Sequence, residues 1–576
     1  MKVLLKLIFV SISLFTITYL LSCANQLAPS GGPQDKEPPV VISSLPPNFS
    51  THFDKNRIRL TFNEFVQLKQ ADEQILISPP VQKKPDYNLK GKSLFINLKE
   101  DLLPNTTYSF FFGNSITDIT EGNPLTNFLY VFSTGDYLDS LSIAGEVKNA
   151  FNLKPEEGVF VMLYPISNDT IPADSLPMKI KPSYVTKTNK EGNFRLNYLR
   201  NEPMKLFALK DINNNYLYDM PDEEIAFTEE IVIPEHIKTM EPDTTLGQAP
   251  DSIHTKLLYD NFFHLKLFQQ IDSTQRRLSE TGFYPPGFLI TYRYGLKNPV
   301  INLFKEKNEA PWYIKELNKG RDSLRVWLTQ PMPDSITIKI QDGDFFSDTV
   351  LIVLPEKKTP ETSKRRQKEE TKQTEQLIIN SNVKSRLLEL NTPLELTFEH
   401  PIKKYNKSHI WLFSEKDTVL ANLSFADNAN RKLKLIQKLE EETLYNLVIR
   451  DSTFFDIYDH THDSLVIVFN TRKTSDYGNL YLDVKIKNDS IPYILQLLDP
   501  KENVIHETVL NKSEELAFEL LNPGIYTLKA IEDKHTNGVW DTGDYLKKRE
   551  PEKVFFFQKE LQIRTNWDIE EVWKIE

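Results

Sequence analysis

The chain has 576 residues, a formal net charge of −11 and only one cysteine. That length exceeds what one core serves and implies about four or five domains. The acidic balance argues against nucleic acid or anionic lipid headgroups as partners, since both demand a basic face. The single cysteine excludes a disulfide framework and a thiolate metal site.

The first segment is positive and then apolar. Lys2 and Lys6 precede an apolar run from Leu7 to Leu21, which ends in Leu20-Leu21-Ser22-Cys23. The run is shorter than the ~20 residues a spanning helix needs. The small residue before the cysteine resembles the lipobox of bacterial lipoprotein signal peptides. That resemblance implies a signal peptide over 1–22 and acylation of Cys23 by diacylglyceryl and palmitoyl-type chains. Acyl chains gain about 0.8 kcal/mol per buried CH₂, so the lipid bilayer is the expected partner of Cys23. Residues 23–37, with Gly31-Gly32-Pro33, have too little apolar content to fold and read as a flexible tether. Neither Ala24 nor Asn25 is the aspartate associated with inner-membrane retention, which favours the outer membrane, on its periplasmic face or at the cell surface.

Beyond the tether, period-2 alternation dominates. Ile58, Leu60 and Phe62 alternate with Arg59, Thr61 and Asn63, and Ile336, Ile338 and Ile340 alternate with Thr337 and Lys339. Leu480, Leu482, Val484 and Ile486 repeat the pattern. Such strands bury one face and wet the other, as in antiparallel sandwiches, so the expected class is all-β. The one helical candidate is Tyr259 to Leu278, where Phe262, Leu265, Phe268 and Ile271 are spaced by three. Two composition shifts read as connectors: Pro234 to Ser252, and the Lys/Arg/Glu/Thr-rich run over 356–375.

The chain also repeats itself. Leu60-Thr61-Phe62-Asn63 returns as Leu396-Thr397-Phe398-Glu399, and Thr107-Tyr108-Ser109-Phe110 as Leu444-Tyr445-Asn446-Leu447. Ile116-Thr117-Asp118 returns as Phe454-Phe455-Asp456, and Phe132-Ser133-Thr134 as Phe469-Asn470-Thr471. The offsets stay between 336 and 338 residues, which defines two copies over 38–136 and 376–474. A Pro-rich entry (Pro38-Pro39, Pro46-Pro47), Phe62-Asn63-Glu64, the corner Leu103-Pro104-Asn105-Thr106-Thr107-Tyr108 and the closing Phe132 to Gly135 resemble the bacterial Ig-like domain of S-layer-type surface proteins. The second copy is divergent: it lacks the corner proline, and a residue after Phe398 reads as lost, which makes Glu399 the counterpart of Glu64. A second unit follows each copy, over 137–235 and 475–576, and is similar to transthyretin-like or Cna-B-like sandwiches. A middle β-rich domain is expected over 250–355. The whole order resembles Ig-like-domain lipoproteins of the Bacteroidetes envelope, a resemblance that brings no biochemical activity with it.

Each of the second units carries an acidic loop, the two offset by a constant 322 residues. In Asp533 to Asp544, oxygen ligands at Asp533, Asn537, Asp541 and Asp544, with the Val539 carbonyl and Gly538 at the bend, match the spacing of a twelve-residue calcium loop. In Asp211 to Asp222 the set is Asp211, Asn213, Asn215, Asp219 and Asp222, with Tyr216 in place of the glycine. His535 at the third position of the later loop is a poor ligand for a hard cation. The competing reading is an Asx-rich turn that bonds its own backbone. Asp459-His460-Thr461-His462-Asp463 could chelate a transition metal, but no distant third ligand is visible and a solvated turn is the preferred reading. Glu64 and Asp118 suggest a carboxylate pair, but repetition in the second copy points to turn capping. No Gly-x-Ser-x-Gly, phosphate loop or His-Glu-x-x-His occurs. The expectation is therefore a non-enzymatic envelope scaffold or binding module, its partner an envelope protein or glycan. The alternatives are a carbohydrate-binding or -processing lipoprotein and an accessory factor in outer-membrane assembly.

Overall fold

The computed structural model describes residues 34–166, 172–236, 238–239, 257–258, 262–270, 274–304, 312–344, 346–355 and 376–575. The signal segment, Cys23, the 356–375 run and most of Pro234–Ser252 lie outside the described residues. The chain is nearly all-β, as the alternation dictates, and no described helix is long and apolar enough to cross a membrane. It divides into two compact units, Met1–Gln270 with Asp544–Arg549, and Ile271–Gly543 with Glu550–Glu576.

The first unit begins with an Ig-like sandwich. One sheet orders strands Val41–Leu45, Arg57–Phe62, Ser93–Asn97 and Asp86–Lys90; the facing one orders Leu76–Ser78, Thr107–Phe111 and Leu129–Ser133. Between them Phe132 is fully buried, its ring 3.9 Å from Phe53 and 5.6 Å from Tyr108. The second unit holds a sandwich of the same plan. Strands Ile379–Ser381, Glu395–Phe398, Lys432–Leu435 and Leu423–Phe425 follow the same sheet order, and Phe469 and Tyr445 stack at 5.5 Å in the core.

The corner between the sheets is built identically in both copies. Leu103 N donates to the Tyr108 hydroxyl at 3.0 Å, and Glu440 N to the Tyr445 hydroxyl at 2.9 Å. Thr106 N donates to Thr134 Oγ1 at 2.9 Å, and Thr443 N to Thr471 Oγ1 at 3.0 Å. Asn105 and Glu442 take left-handed backbone at φ 48° and 51°. The corner therefore survives loss of its proline, because the tyrosine and threonine bonds and the left-handed residue define it. For a glutamate that conformation costs about 1 kcal/mol or more.

Strand register corrects one alignment. Val66 pairs with Asp118, and Ile402 with Asp456, so Phe62 and Phe398 are each followed four residues later by equivalent positions. No residue is lost after Phe398. His400, not Glu399, stands where the first copy has Glu64.

The second module of each pair also shares one plan. Leu141–Asn149 lies between Asn193–Leu199, antiparallel, and Phe262–Gln269, parallel; Gly478–Ile486 lies between Glu514–Leu521 and Asp568–Ile575 in the same way. This overturns the helix expected over Tyr259–Leu278, whose described part is strand: Phe262–Gln269 and the start of Arg277–Phe283. Phe263, Leu265 and Leu267 face inward at period 2, and the period-3 spacing of Phe262, Leu265 and Phe268 coincides with it only in part. It also places 262–269 in the sheet of the second module, not in a middle domain starting at 250. The middle module is a two-sheet sandwich. Arg277–Phe283, Gly287–Tyr292, Ser323–Leu328 and Tyr313–Leu317 face Val300–Leu303, Ser335–Asp342 and Phe346–Val353.

Removing the ring at the centre of the first core, Phe132→Ala, should cost about 3–5 kcal/mol, read as a lowered denaturant midpoint for the first unit.

Candidate functional site

The two acidic loops share one backbone. Asn214 and Tyr216 take φ 56° and 65°, and their counterparts Thr536 and Gly538 take 52° and 76°. Tyr216 tolerates a conformation usually left to glycine while its ring packs edge-on against Phe160 at 5.0 Å. In each loop the first aspartate caps the bend: Tyr216 N donates to Asp211 Oδ2 at 2.6 Å, and Gly538 N to Asp533 Oδ2 at 2.9 Å. Positions three and five converge on position nine. Asn213 and Asn215 donate their amides to Asp219 at 3.1 and 2.8 Å; Asn537 donates to Asp541 at 2.9 Å, and His535 Nδ1 lies 2.9 Å from the same carboxylate.

The residue that organises each loop was not among those expected. Glu223, fully buried, accepts from Ile212 N, Asp219 N and Met220 N at 3.0–3.2 Å. Glu552, 2% exposed, accepts from His535 N and Asp541 N. Glu223 stands directly before strand Glu224–Phe227, and Glu552 stands two residues before Val554–Phe556. Glu223 follows Asp219 by four residues, whereas Glu552 follows Asp541 by eleven, because the later loop carries an insertion. That insertion contains Asp544–Arg549, the segment grouped with the first unit.

The twelfth positions do not join either loop. Asp222 is exposed, 3.4 Å from Gln269 Nε2, and Asp544 accepts from Lys547 N and pairs with Lys547 Nζ at 3.1 Å. Val539 is 59% exposed, and its N–H donates to Asn537. The loops also differ in what is left over. Asp533 spends both oxygens on Asn537 N and Gly538 N, and His535 sits between Asp541 and Glu552, at 2.9 and 3.0 Å. In the earlier loop Asp211 Oδ1 is buried with no hydrogen-bond donor.

The Ig-like modules hold a second pair of buried carboxylates. Asp118 is fully buried and accepts from Glu121 N, Gly122 N and Asn123 N at 2.7–3.0 Å. Burial works to raise its pKa, but these backbone donors hold it down at about 2. The Glu64 carboxyl is pushed up, first by desolvation and then by the charge of Asp118. Asp118 thus acts as a turn cap with both oxygens occupied. Asp456, its counterpart, accepts from Tyr458 N and His460 N, and it faces two imidazoles, with His400 Nδ1 at 2.8 Å and His460 Nδ1 at 3.0 Å from Oδ2. Burial raises Asp456, while His400, the His460 backbone and the His460 charge outweigh it and hold its pKa below the usual range. His462 accepts from Phe454 N at 3.2 Å and serves the fold. Trp312, Trp327 and Trp573 are buried, Trp411 and Trp540 are half-buried with their indole N–H groups on backbone carbonyls, and Trp567 is exposed.

The fold is a tandem array of β-sandwiches whose loops close on buried, turn-capping carboxylates. Residues 35–134 match the bacterial Ig-like domain. No curated protein matches the chain. Among solved structures it is similar to native α2-macroglobulin of Escherichia coli over domains MG0–NIE–MG1, at 14% identity, 31% of this chain, 71% of that chain and TM-score 0.16. It is also similar to the S-layer protein SbsC (12% identity, 90% and 66% coverage, TM-score 0.14). The major pilin subunit BcpA of Bacillus cereus gives 9% identity, 76% and 99% coverage and TM-score 0.13.

Because the Asp118 pKa is depressed from 3.8 to about 2, its contribution is complete above 3.8 and is lost as pH falls toward 2. Asp118→Asn should therefore destabilise the first Ig-like module at neutral pH and flatten its stability change between pH 4 and 2, followed by circular dichroism melts of the variant and parent.

Proposed function

We propose that the chain is a non-enzymatic envelope lipoprotein, a lipid-tethered array of β-sandwiches that acts as a scaffold or binding module. The observation that carries this reading is the use of the buried carboxylates. Asp118, Glu223 and Glu552 are each spent on backbone N–H groups of their own loops, which is the chemistry of a rigid frame and not of an acid–base pair. The lipobox-like Leu20-Leu21-Ser22-Cys23 and the polar segment after it supply the anchor and the tether. With Trp312, Trp327 and Trp573 buried and Trp411 and Trp540 half-buried, a carbohydrate platform has less support than a protein-facing role.

Cys23→Ala tests the tether. The parent should partition with membranes and incorporate labelled palmitate, and the variant should move to the soluble fraction unlabelled. A variant that stays with the membrane would sink the reading.

Calcium belongs to the same proposal, at the earlier loop. Asp211 Oδ1 is an anionic oxygen buried without a donor, in the loop where Asn213 and Asn215 converge on Asp219. The later loop already places His535 between its carboxylates and has less need of a cation. Millimolar calcium should raise the melting temperature of the first unit by at least about 4 °C and chelator should reverse it. Asp211→Asn should abolish the response, whereas Asp541→Asn should leave it in place.

A further inference from the structure

We propose that His400, Asp456 and His460 form a binding site for a divalent transition metal, zinc in the first instance, in the second Ig-like module where it meets the middle module. The proposal is independent of the lipid tether and of calcium at the acidic loops.

The donor set is the first argument. Two imidazoles and a carboxylate are a zinc-type combination that leaves a fourth position for water or an anion. A hard cation such as calcium prefers oxygen alone. The geometry is the second. His400 Nδ1 and His460 Nδ1 lie 2.8 and 3.0 Å from the same oxygen, Asp456 Oδ2, and one ligand atom from each residue fits within 4.8 Å of the others. Tetrahedral zinc, with bonds of about 2.0–2.2 Å, holds neighbouring ligands roughly 3.3 Å apart. Each nitrogen–oxygen pair therefore needs to open by only a few tenths of an ångström, with the metal replacing the hydrogens now lying between nitrogen and oxygen.

The other oxygen is already anchored. Asp456 Oδ1 accepts from Tyr458 N and His460 N at 2.9 and 2.8 Å, which fixes the carboxylate plane and presents Oδ2 to the two rings.

The repeat provides an internal control. In the first Ig-like module the same turn closes around Asp118 without a histidine: Glu64 stands at the position of His400, Gly122 at that of His460, and Asn123 N supplies the donor to Asp118 Oδ2. The fold does not require two imidazoles here, so their presence in one copy only calls for another account.

The surroundings fit a bound group. Trp327 stands edge-on to His400 at 5.6 Å, is 3% exposed, and its indole N–H is buried without a hydrogen-bond acceptor. A water or anion in the fourth position of the metal would give such a donor a partner. His400 and Asp456 are buried, and the partly exposed His460 offers the route of entry. The neighbouring contacts tie the two modules together: the Tyr458 hydroxyl donates to Pro286 O at 3.0 Å, and Arg431 pairs with Glu316 at 2.6 Å. A metal here would therefore lock the second unit and not merely decorate a loop.

The test uses the full chain with Co²⁺ as a visible probe and Zn²⁺ as competitor. One equivalent of Co²⁺ should give ligand-field absorption of tetrahedral type, Zn²⁺ should bleach it, and Zn²⁺ should raise the melting temperature of the second unit. His400→Ala and His460→Gln should each weaken Co²⁺ binding at least about tenfold. His460→Gln can still donate to Asp456, so its metal-free melt should match the metal-free parent and separate lost ligation from lost folding. His535→Ala should leave the Co²⁺ signal unchanged. Absence of the band in the parent would overturn the proposal. So would a band that disappears with His535→Ala and persists in the His400→Ala/His460→Gln double variant, since that means chelation at the later acidic loop only.

Discussion

A carboxylate buried beneath a loop, accepting from that loop's own backbone N–H groups, is the interaction on which this structure depends. Asp118 and Asp456 do this in the two Ig-like modules, and Glu223 and Glu552 do it in the modules that follow. Long loops of a sandwich cannot pair their N–H groups in a ladder, and an orphaned buried N–H costs about 1–3 kcal/mol. One ionised side chain that accepts two or three of them removes that cost at a single point. It also sets the loop's shape, because the carboxylate fixes where those N–H groups must converge.

The same interaction explains which places in the molecule retain chemistry. Where the backbone uses both carboxylate oxygens, as at Asp118 and Asp533, the group is a structural acceptor. Where an oxygen is left over, side chains gather round it. Asp211 Oδ1 is left without a donor in the loop whose asparagines converge on Asp219, and Asp456 Oδ2 is shared between His400 and His460. The two copies of each module thus act as controls for each other, with a common frame and a variable residue.

The architecture was largely legible from the residues. The alternation of Ile336, Ile338 and Ile340 is a strand, Ser335–Asp342, with those three residues buried, and the repeat offsets matched true structural equivalence. The bends over Asp211–Asp219 and Asp533–Asp541 share one backbone and one capping aspartate. Their keystone was missed. Glu223 and Glu552 fall outside a twelve-residue loop template, and the insertion before Glu552 breaks the constant offset that would have paired them. His400 was hidden for a similar reason: it lies 56 residues from Asp456 in the chain, and the misplaced gap after Phe398 aligned Glu399 with Glu64 instead.

By itself the sequence determined the class, the strand faces and the duplication, because these follow from period-2 burial and from recurring local patterns. Only tertiary structure decided what converges. Strand pairing carries His400 across to Asp456, sets Trp327 against it, and turns an expected helix at Phe262–Gln269 into the parallel strand beside Leu141–Asn149. Register between distant strands brings such groups within hydrogen-bond distance. No pattern confined to neighbouring residues encodes that distance.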